Sequence, residues 1–265
     1  MKAAISGETL GSVMELDEIL SLFQKNGIHF IEIWPENIPV KVGKTLLHKR
    51  LYANRDVEQA KKILEKYQIK AACVCFGAGF DKELAKDPEL FSRELERAVE
   101  IAYELGAKVV NHYCYHVAMG PEKYYGRAIR KAKQRKIYLA LENEAHDITQ
   151  SPEGMKTIVE HMNSEYFKTN FDATNYYQAG YEGFPYAYEV LKEYIVHVHI
   201  KNGCFYHPEF GHEKQCRGGK MTGMFAGNDI YYPYASDGAV NIDGLLRRLE
   251  KDGYTGFCTM EPHDS

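Results

Sequence analysis

Four strand-like segments of the chain each lead to a side chain that can bind a metal: Tyr138-Leu139-Ala140-Leu141-Glu142, Lys168-Thr169-Asn170-Phe171-Asp172, Ile195-Val196-His197-Val198-His199 and Phe257-Cys258-Thr259-Met260-Glu261. A lone carboxylate at the end of a strand is ordinarily a helix cap or a solvated loop residue. Four such residues on consecutive strands and at one level mean something else, because carboxylates that close repel one another unless a cation lies among them. Glu142, Asp172, His199 and Glu261 are therefore read as the ligands of one divalent ion. Three carboxylates and one imidazole form a hard, mostly oxygen donor set, which suits Mn²⁺, Mg²⁺ or Co²⁺ better than Zn²⁺. His197 and His199 share a strand face, since side chains alternate along a strand. His199 lies nearer the C-terminal end and takes the ligand role, and His197 is expected to pack deeper. Glu144 competes with Glu142, which is preferred as the first acid after its apolar run.

Eight strands are expected to position these residues: Ala3 to Ser6, Phe30 to Trp34, Ala71 to Phe76, Val109 to Tyr113, Tyr138 to Glu142, Phe167 to Asp172, Val196 to Ile200 and Phe257 to Glu261. Amphipathic segments alternate with them, at Leu16 to Lys25, Arg55 to Tyr67, Pro88 to Leu105, Pro121 to Arg135, Pro152 to Met162 and Tyr186 to Glu193. Asn26-Gly27, Leu105-Gly106 and Asp252-Gly253 read as helix stops just before strands. The pattern runs from end to end without a linker, and no Gly-rich phosphate loop occurs. This predicts an α/β fold of one domain over residues 1–265, a closed (β/α)8 TIM barrel, with its site at the C-terminal mouth. A long Gly- and aromatic-rich loop is expected at about 202–243, and a final helix that is short or missing, because the sequence stops four residues after Glu261.

The 265 residues hold 33 Lys+Arg against 37 Asp+Glu, a net charge of −4 with evenly mixed signs, which argues against a nucleic-acid surface. The basic run Arg127, Arg130, Lys131, Lys133, Arg135, Lys136 reads as the solvated face of a helix. Six cysteines without CxxC spacing read as reduced thiols, with a metal role for Cys73-x-Cys75 the lesser alternative. Neither a signal region nor 18 consecutive apolar residues is present in the sequence, so a cytoplasmic protein without a membrane partner is expected. Twenty tyrosines, clustered at Tyr113/Tyr115, Tyr124/Tyr125, Tyr176/Tyr177 and Tyr231/Tyr232/Tyr234, suggest a weak homo-oligomer and a sugar-stacking mouth.

The order LALENE, FDATN, HVHIKN and CTMEPH, with Asn241-Ile242-Asp243-Gly244-Leu245-Leu246 and Gly253-Tyr254-Thr255-Gly256-Phe257 before the last strand, resembles the xylose isomerase-like TIM-barrel family of sugar isomerases and epimerases. The resemblance implies one divalent metal on Glu142, Asp172, His199 and Glu261. It places Asn175 where the D-x-x-H/N motif puts a residue touching ligand or substrate, Glu32 as an acid in the pocket floor, and His112 as a substrate-facing group. Glu142 and Glu261 would be the proton-exchanging pair of an epimerase working through an enediolate on a ketose, oxidised sugar or polyol. Phe205 and Ile148 stand where ketose epimerases carry a further arginine and glutamate. Lys201, Arg217 and Lys220 are the substitutes, and Lys201-Asn202 is similar to a His-x-Lys-Asp ending with Asn for Asp. Trp34, Phe76 and Phe80 are expected to wall the substrate's carbon face, and the loop with His207, His212, Tyr231 and Tyr232 to form a lid or a subunit contact. The competing readings are a lyase or dehydratase acting on a 3-oxo-glycoside or inosose, and a non-catalytic sugar-binding barrel. Endonuclease IV shares the fold but needs three zinc ions and a basic DNA surface, and neither is indicated.

Overall fold

The structure, a computed structural model, describes residues 1–50, 52–77, 81, 83–114, 120–144, 147–205 and 230–263. In chain order its elements are β1 (Lys2–Ser6), α1 (Leu16–Lys25), β2 (Phe30–Ile33), β3 (Ile38–Val42), β4 (Thr45–Lys49), α2 (Asn54–Tyr67), β5 (Lys70–Phe76), α3 (Pro88–Leu105), β6 (Val109–His112), α4 (Pro121–Arg135), β7 (Tyr138–Glu142), α5 (Pro152–Met162), β8 (Phe167–Asp172), α6 (Ala173–Gln178), α7 (Tyr188–Leu191), β9 (Ile195–Ile200), β10 (Cys204–Phe205), β11 (Ile230–Tyr231), α8 (Ile242–Lys251) and β12 (Phe257–Met260).

Eight of the strands close into a parallel barrel in the order β1-β12-β9-β8-β7-β6-β5-β2, the expected (β/α)8 barrel. Its strands are buried on both faces, which is why they read as continuous apolar runs such as Ala71–Phe76. Outward residues, among them Ile31, Val74, Phe76, Val110, Leu139, Leu141, Phe171 and Val198, join the helices in one large core. Inside the lumen, small separate clusters form instead, Trp34 with Cys75 and Tyr113, and Cys73 with Val109 and Ala140.

Local signals act as read. Gly27, Gly106 and Gly253 all take positive φ, 69°, 78° and 74°, which a side chain would resist. Asp87 caps α3 by accepting from the backbone of Glu89 and Leu90, and Ser151 caps α5. The basic run read as a solvated face divides: Arg130, Lys133 and Lys136 are exposed, whereas Arg127 pairs with Glu89 and Glu96, and Lys131 and Arg135 with Glu100, all on α3.

Three features differ from expectation. The segment expected as a helix from Tyr186 to Glu193 is helical but irregular, with α7 flanked by a wide turn at Gly183–Ala187 and a tight turn at Lys192–Tyr194. Pro185 bars Phe184 from helical geometry, and Phe184 is extended at φ −149° and ψ 131°. An antiparallel hairpin, β3 with β4, turns at Gly43, φ +65°, and had no expected counterpart. Its mostly exposed strands carry too little apolar alternation to be read as strands. Within the expected long loop, β10 pairs with β11, and α8 starts at Ile242 behind its cap Asn241. His207, His212, Arg217 and Lys220, like Phe80, lie outside the described residues. No helix among the described residues is long and apolar enough to cross a membrane.

Candidate metal centre

Strand register brings the four chosen side chains to one place. Asp172 stands opposite His199 and His199 opposite Thr259, two residues before Glu261; Glu142 stands opposite Asn170, two before Asp172. Ligand atoms of Glu142, Asp172, His199 and Glu261 all lie within 4.8 Å of one another, and all four side chains are buried.

Each ligand is fixed by a different device. Glu142 Oε2 accepts from Asn111 Nδ2 at 2.6 Å and Asn170 Nδ2 at 2.7 Å, and its Oε1 from Asn175 Nδ2 at 3.3 Å. Asp172 divides its oxygens: Oδ1 accepts from the backbone N–H groups of Thr174 (2.8 Å) and Asn175 (3.0 Å), capping α6, and Oδ2 lies 2.8 Å from Lys201 Nζ. The cap and the candidate ligand, alternatives when read from sequence, use different oxygens of one carboxylate. Glu261 Oε2 lies 2.9 Å from Lys201 Nζ and 3.3 Å from His199 Nδ1. His199 Nδ1 lies 3.2 Å from Glu142, and its Nε2 is 2.9 Å from Glu32 Oε2.

The electrostatics follow from this crowding. Burial works to lower the His199 pKa, yet the carboxylates of Glu142, Glu261 and Glu32 hold it well above the usual imidazole range. Burial would raise the Glu261 carboxyl, but His199 and Lys201 hold it well below the usual carboxylate range. The Glu32 carboxyl is likewise held at about 2 against burial, by His199 and His197. Glu144 has less compensation, and burial with the Glu142 charge pushes it up to about 8. Lys201 stays charged in spite of burial because Asp172 and Glu261 face it. Convergent oxygen and imidazole donors carrying surplus negative charge in a dry volume fit a divalent ion, so the residues present suit a metal.

The remaining expected site residues divide. Asn175 touches Glu142 and also donates to Asn143 O at 2.9 Å, tying the ends of β7 and β8 together. Lys201 lies inside the cluster. Glu32 lies beneath it, and His197 Nε2 stands 2.8 Å from Thr259 Oγ1 and 3.4 Å from Glu32, so His197 belongs to a polar network rather than to packing alone. Trp34 stacks on Tyr113, with centroids 6.5 Å apart, and donates from its indole to Ser6 Oγ at 2.9 Å. His112 does not face the substrate side: its ring packs edge-on against Tyr125 and Phe167 in the layer between barrel and helices, where burial lowers its pKa to about 3. Phe76 is also in that outer layer, against Phe91. The parity of β6 explains the correction, because Asn111, one residue earlier, occupies the inward position.

Asn111 and Asn170 are the residues that sequence reasoning missed. Asn170 had a signal, since it is two residues before Asp172 and must share its face. A polar cavity of about 380 Å³ opens beside Glu261, lined by Ser6, Glu8, Asn37, His48 and His263 among others. The unexpected hairpin supplies His48, whose Nε2 lies 2.9 Å from Gly11 O. Tyr232 stacks on His263 with centroids 4.7 Å apart at the same rim.

No curated protein matches the chain in sequence. Among solved structures, the probable 3-DHS dehydratase AsbF from Bacillus anthracis is similar at 15% identity and TM-score 0.68, over 98% of this chain and 92% of that one. The 3-keto-D-glucoside 4-epimerase YcjR from E. coli is similar at 13% identity and TM-score 0.67, over 100% and 93%. The IolI protein with a bound zinc atom is similar at 17% identity and TM-score 0.67, over 100% and 90%. At such identities these likenesses establish the fold. The family model described as xylose isomerase-like TIM barrel matches residues 20–265, nearly the whole barrel and all four clustered side chains, and the chain belongs to that family.

Proposed function

We propose that the protein is a divalent-metal-dependent isomerase or epimerase acting on a ketose or an oxidised sugar. The observation that carries this reading is the convergence of the buried side chains Glu142, Asp172, His199 and Glu261 within 4.8 Å at the C-terminal end of the barrel strands, with Glu261 lining the adjoining cavity. The oxygen-rich donor set favours Mn²⁺, Mg²⁺ or Co²⁺ over Zn²⁺, although one structurally similar protein holds zinc.

When bound, the ion would polarise a substrate carbonyl and acidify the neighbouring C–H. Glu142 and Glu261 are the proposed acid–base pair, one removing a proton from the carbon beside the carbonyl and the other returning one through an enediolate. The Asn111 and Asn170 amides keep Glu142 oriented, and Lys201 holds Glu261 in place and ionised. The polar cavity beside Glu261 has the size and lining for one sugar, with Ser6, in front of Trp34, on its wall. A small sugar or sugar derivative as partner, a cytoplasmic setting and a weak homo-oligomer complete the proposal. Of the clustered tyrosines, Tyr113, Tyr124, Tyr125, Tyr176 and Tyr232 are buried, Tyr177 and Tyr231 are half-buried and Tyr115 lies outside the described residues; Tyr234, 76% exposed, is the candidate for a subunit contact.

The test is a panel of ketoses and 3-keto-glycosides incubated with the Mn²⁺-loaded protein in D₂O. Deuterium should enter at the carbon beside the carbonyl, and Glu142→Gln and Glu261→Gln should each lower turnover by roughly 10²- to 10⁴-fold at saturating metal. Unchanged turnover in either variant removes that residue from the scheme. Release of an enone or aglycone would replace epimerisation by the lyase reading, and sugar binding without exchange would leave a binding barrel.

A further inference from the structure

Glu32 is a fully buried carboxylate on β2, on the opposite side of the barrel lumen from β8. Moving an unpaired carboxylate out of water costs several kcal/mol, so a folded chain keeps one only where partners face it. Two imidazoles do so. His199 Nε2 is 2.9 Å from Glu32 Oε2, and His197 Nε2 is 3.4 Å from the same oxygen. The His199 ring thus spans two acidic environments, with Nε2 toward Glu32 and Nδ1 toward Glu142 and Glu261 at 3.2 and 3.3 Å.

An imidazole binds a metal through the nitrogen that carries no proton, and whichever acceptor holds the proton on the other nitrogen settles which one that is. We propose that Glu32 is a positioning residue for the metal centre: by accepting the Nε2–H of His199 it fixes the ring so that Nδ1 is the metal ligand. Thr259, on the neighbouring strand, completes the arrangement by holding His197 Nε2 at 2.8 Å, which keeps the second imidazole beside Glu32. Glu32 itself lies behind the His199 ring, and its role is exerted through that ring. Glu32, Cys73 and His197 also bring ligand atoms within 4.8 Å of one another, but Glu32 Oε2 and His197 Nε2 are engaged by His199 and Thr259, and the network reading accounts for both contacts.

The inference rests on the metal reading of the cluster, and the experiment separates the two. Zn²⁺, which is diamagnetic, is titrated into the full chain and into Glu32→Gln and Glu32→Leu, with affinity read by chelator competition and ring protonation by ¹⁵N NMR of labelled histidine. In the wild type the His199 signals should show a metal-bound Nδ1 and a protonated Nε2. Glu32→Leu should weaken Zn²⁺ by roughly 10- to 100-fold, and Glu32→Gln, which keeps an acceptor oxygen, should recover most of that loss. A wild-type spectrum with metal on Nε2 overturns the proposal whether or not a variant folds, and so do equal affinities in all three proteins. A second zinc equivalent lost with Glu32 would assign the acid to a metal site of its own and overturn it too. Absence of any binding by the wild type would remove the metal reading and this inference together.

Discussion

At the scale of single residues, the cluster sets the carboxylates of Glu142, Asp172, Glu261 and Glu32 against the two cationic groups His199 and Lys201. In the ion-free protein the His199 imidazole is held well above its usual pKa by the surrounding carboxylates, although burial opposes this. An incoming ion must displace that proton, because a metal binds the neutral ring. The raised imidazole binds its proton over a wider pH range, so metal affinity should fall as pH falls from 8 to 6, by up to about tenfold per unit. Calorimetry in two buffers of different ionisation enthalpy should show release of roughly one proton per metal at neutral pH, and equal heats in both buffers would contradict it. That these four side chains come together was legible in the sequence, because each stands at or near the C-terminal end of one of four consecutive strands. Asn111 was not, because a buried amide looks the same whether it supports a ligand or closes a core hydrogen bond, and of Asn170 only its face was legible, not its bond to Glu142. His112 misled for a geometric reason: as a type it suggests chemistry, and one residue of parity puts it on the other face of β6.

At the scale of elements, the departure of Asn202 from the His-x-Lys-Asp pattern has a structural cause. Its Nδ2 donates to the carbonyls of Ala235 and Val240, both at 2.8 Å, while its Oδ1 accepts from the backbone of Gly203 and Val240. Gly238 packs so closely that a Cβ there would meet Asn202 Oδ1 at 2.1 Å. The amide thus pins the segment between β11 and α8 to the end of β9, next to Lys201. Asn202→Asp would turn a donor into a second acceptor facing two carbonyls, and should cost about 1–3 kcal/mol. The loss would appear as a lower melting temperature and faster amide exchange at residues 235–240, and unchanged exchange would argue against the pin. The barrel strands and crossover helices were readable from periodicity, since burial on both faces or on one stripe leaves a regular trace. The hairpin β3–β4 left little trace because it covers the mouth with mostly exposed residues. The irregular turns at 183–194 were obscured because apolar residues recur at helical steps over Tyr186–Leu191 whatever the kind of turn.

At the scale of the whole molecule, binding at strands β7, β8, β9 and β12 joins half of the barrel's staves through one ion, so occupancy should register in global stability. An ion at a hundred times its Kd stabilises by about 2.7 kcal/mol, which for a chain of this length is a rise in melting temperature of roughly 5–10 °C. Thermal melts with and without Mn²⁺ measure it, and Asp172→Ala should abolish the rise; a rise that survives in the variant would place the ion elsewhere. The division of Asp172 between the start of α6 and the cluster has one more consequence. With one oxygen held by two backbone amides, the three-fold grip on Glu142 and the Lys201 contact on Glu261, the ligands have lost their rotational freedom before an ion arrives. Such a cage is preorganised, so binding freezes few further rotamers. It also resists dilation: an ion of calcium's radius needs six to eight oxygens at about 2.3–2.6 Å, and donors tied to separate strands cannot spread to supply them. In the metal reading, selectivity for small ions would then rest on the backbone as well as on the choice of ligand atoms.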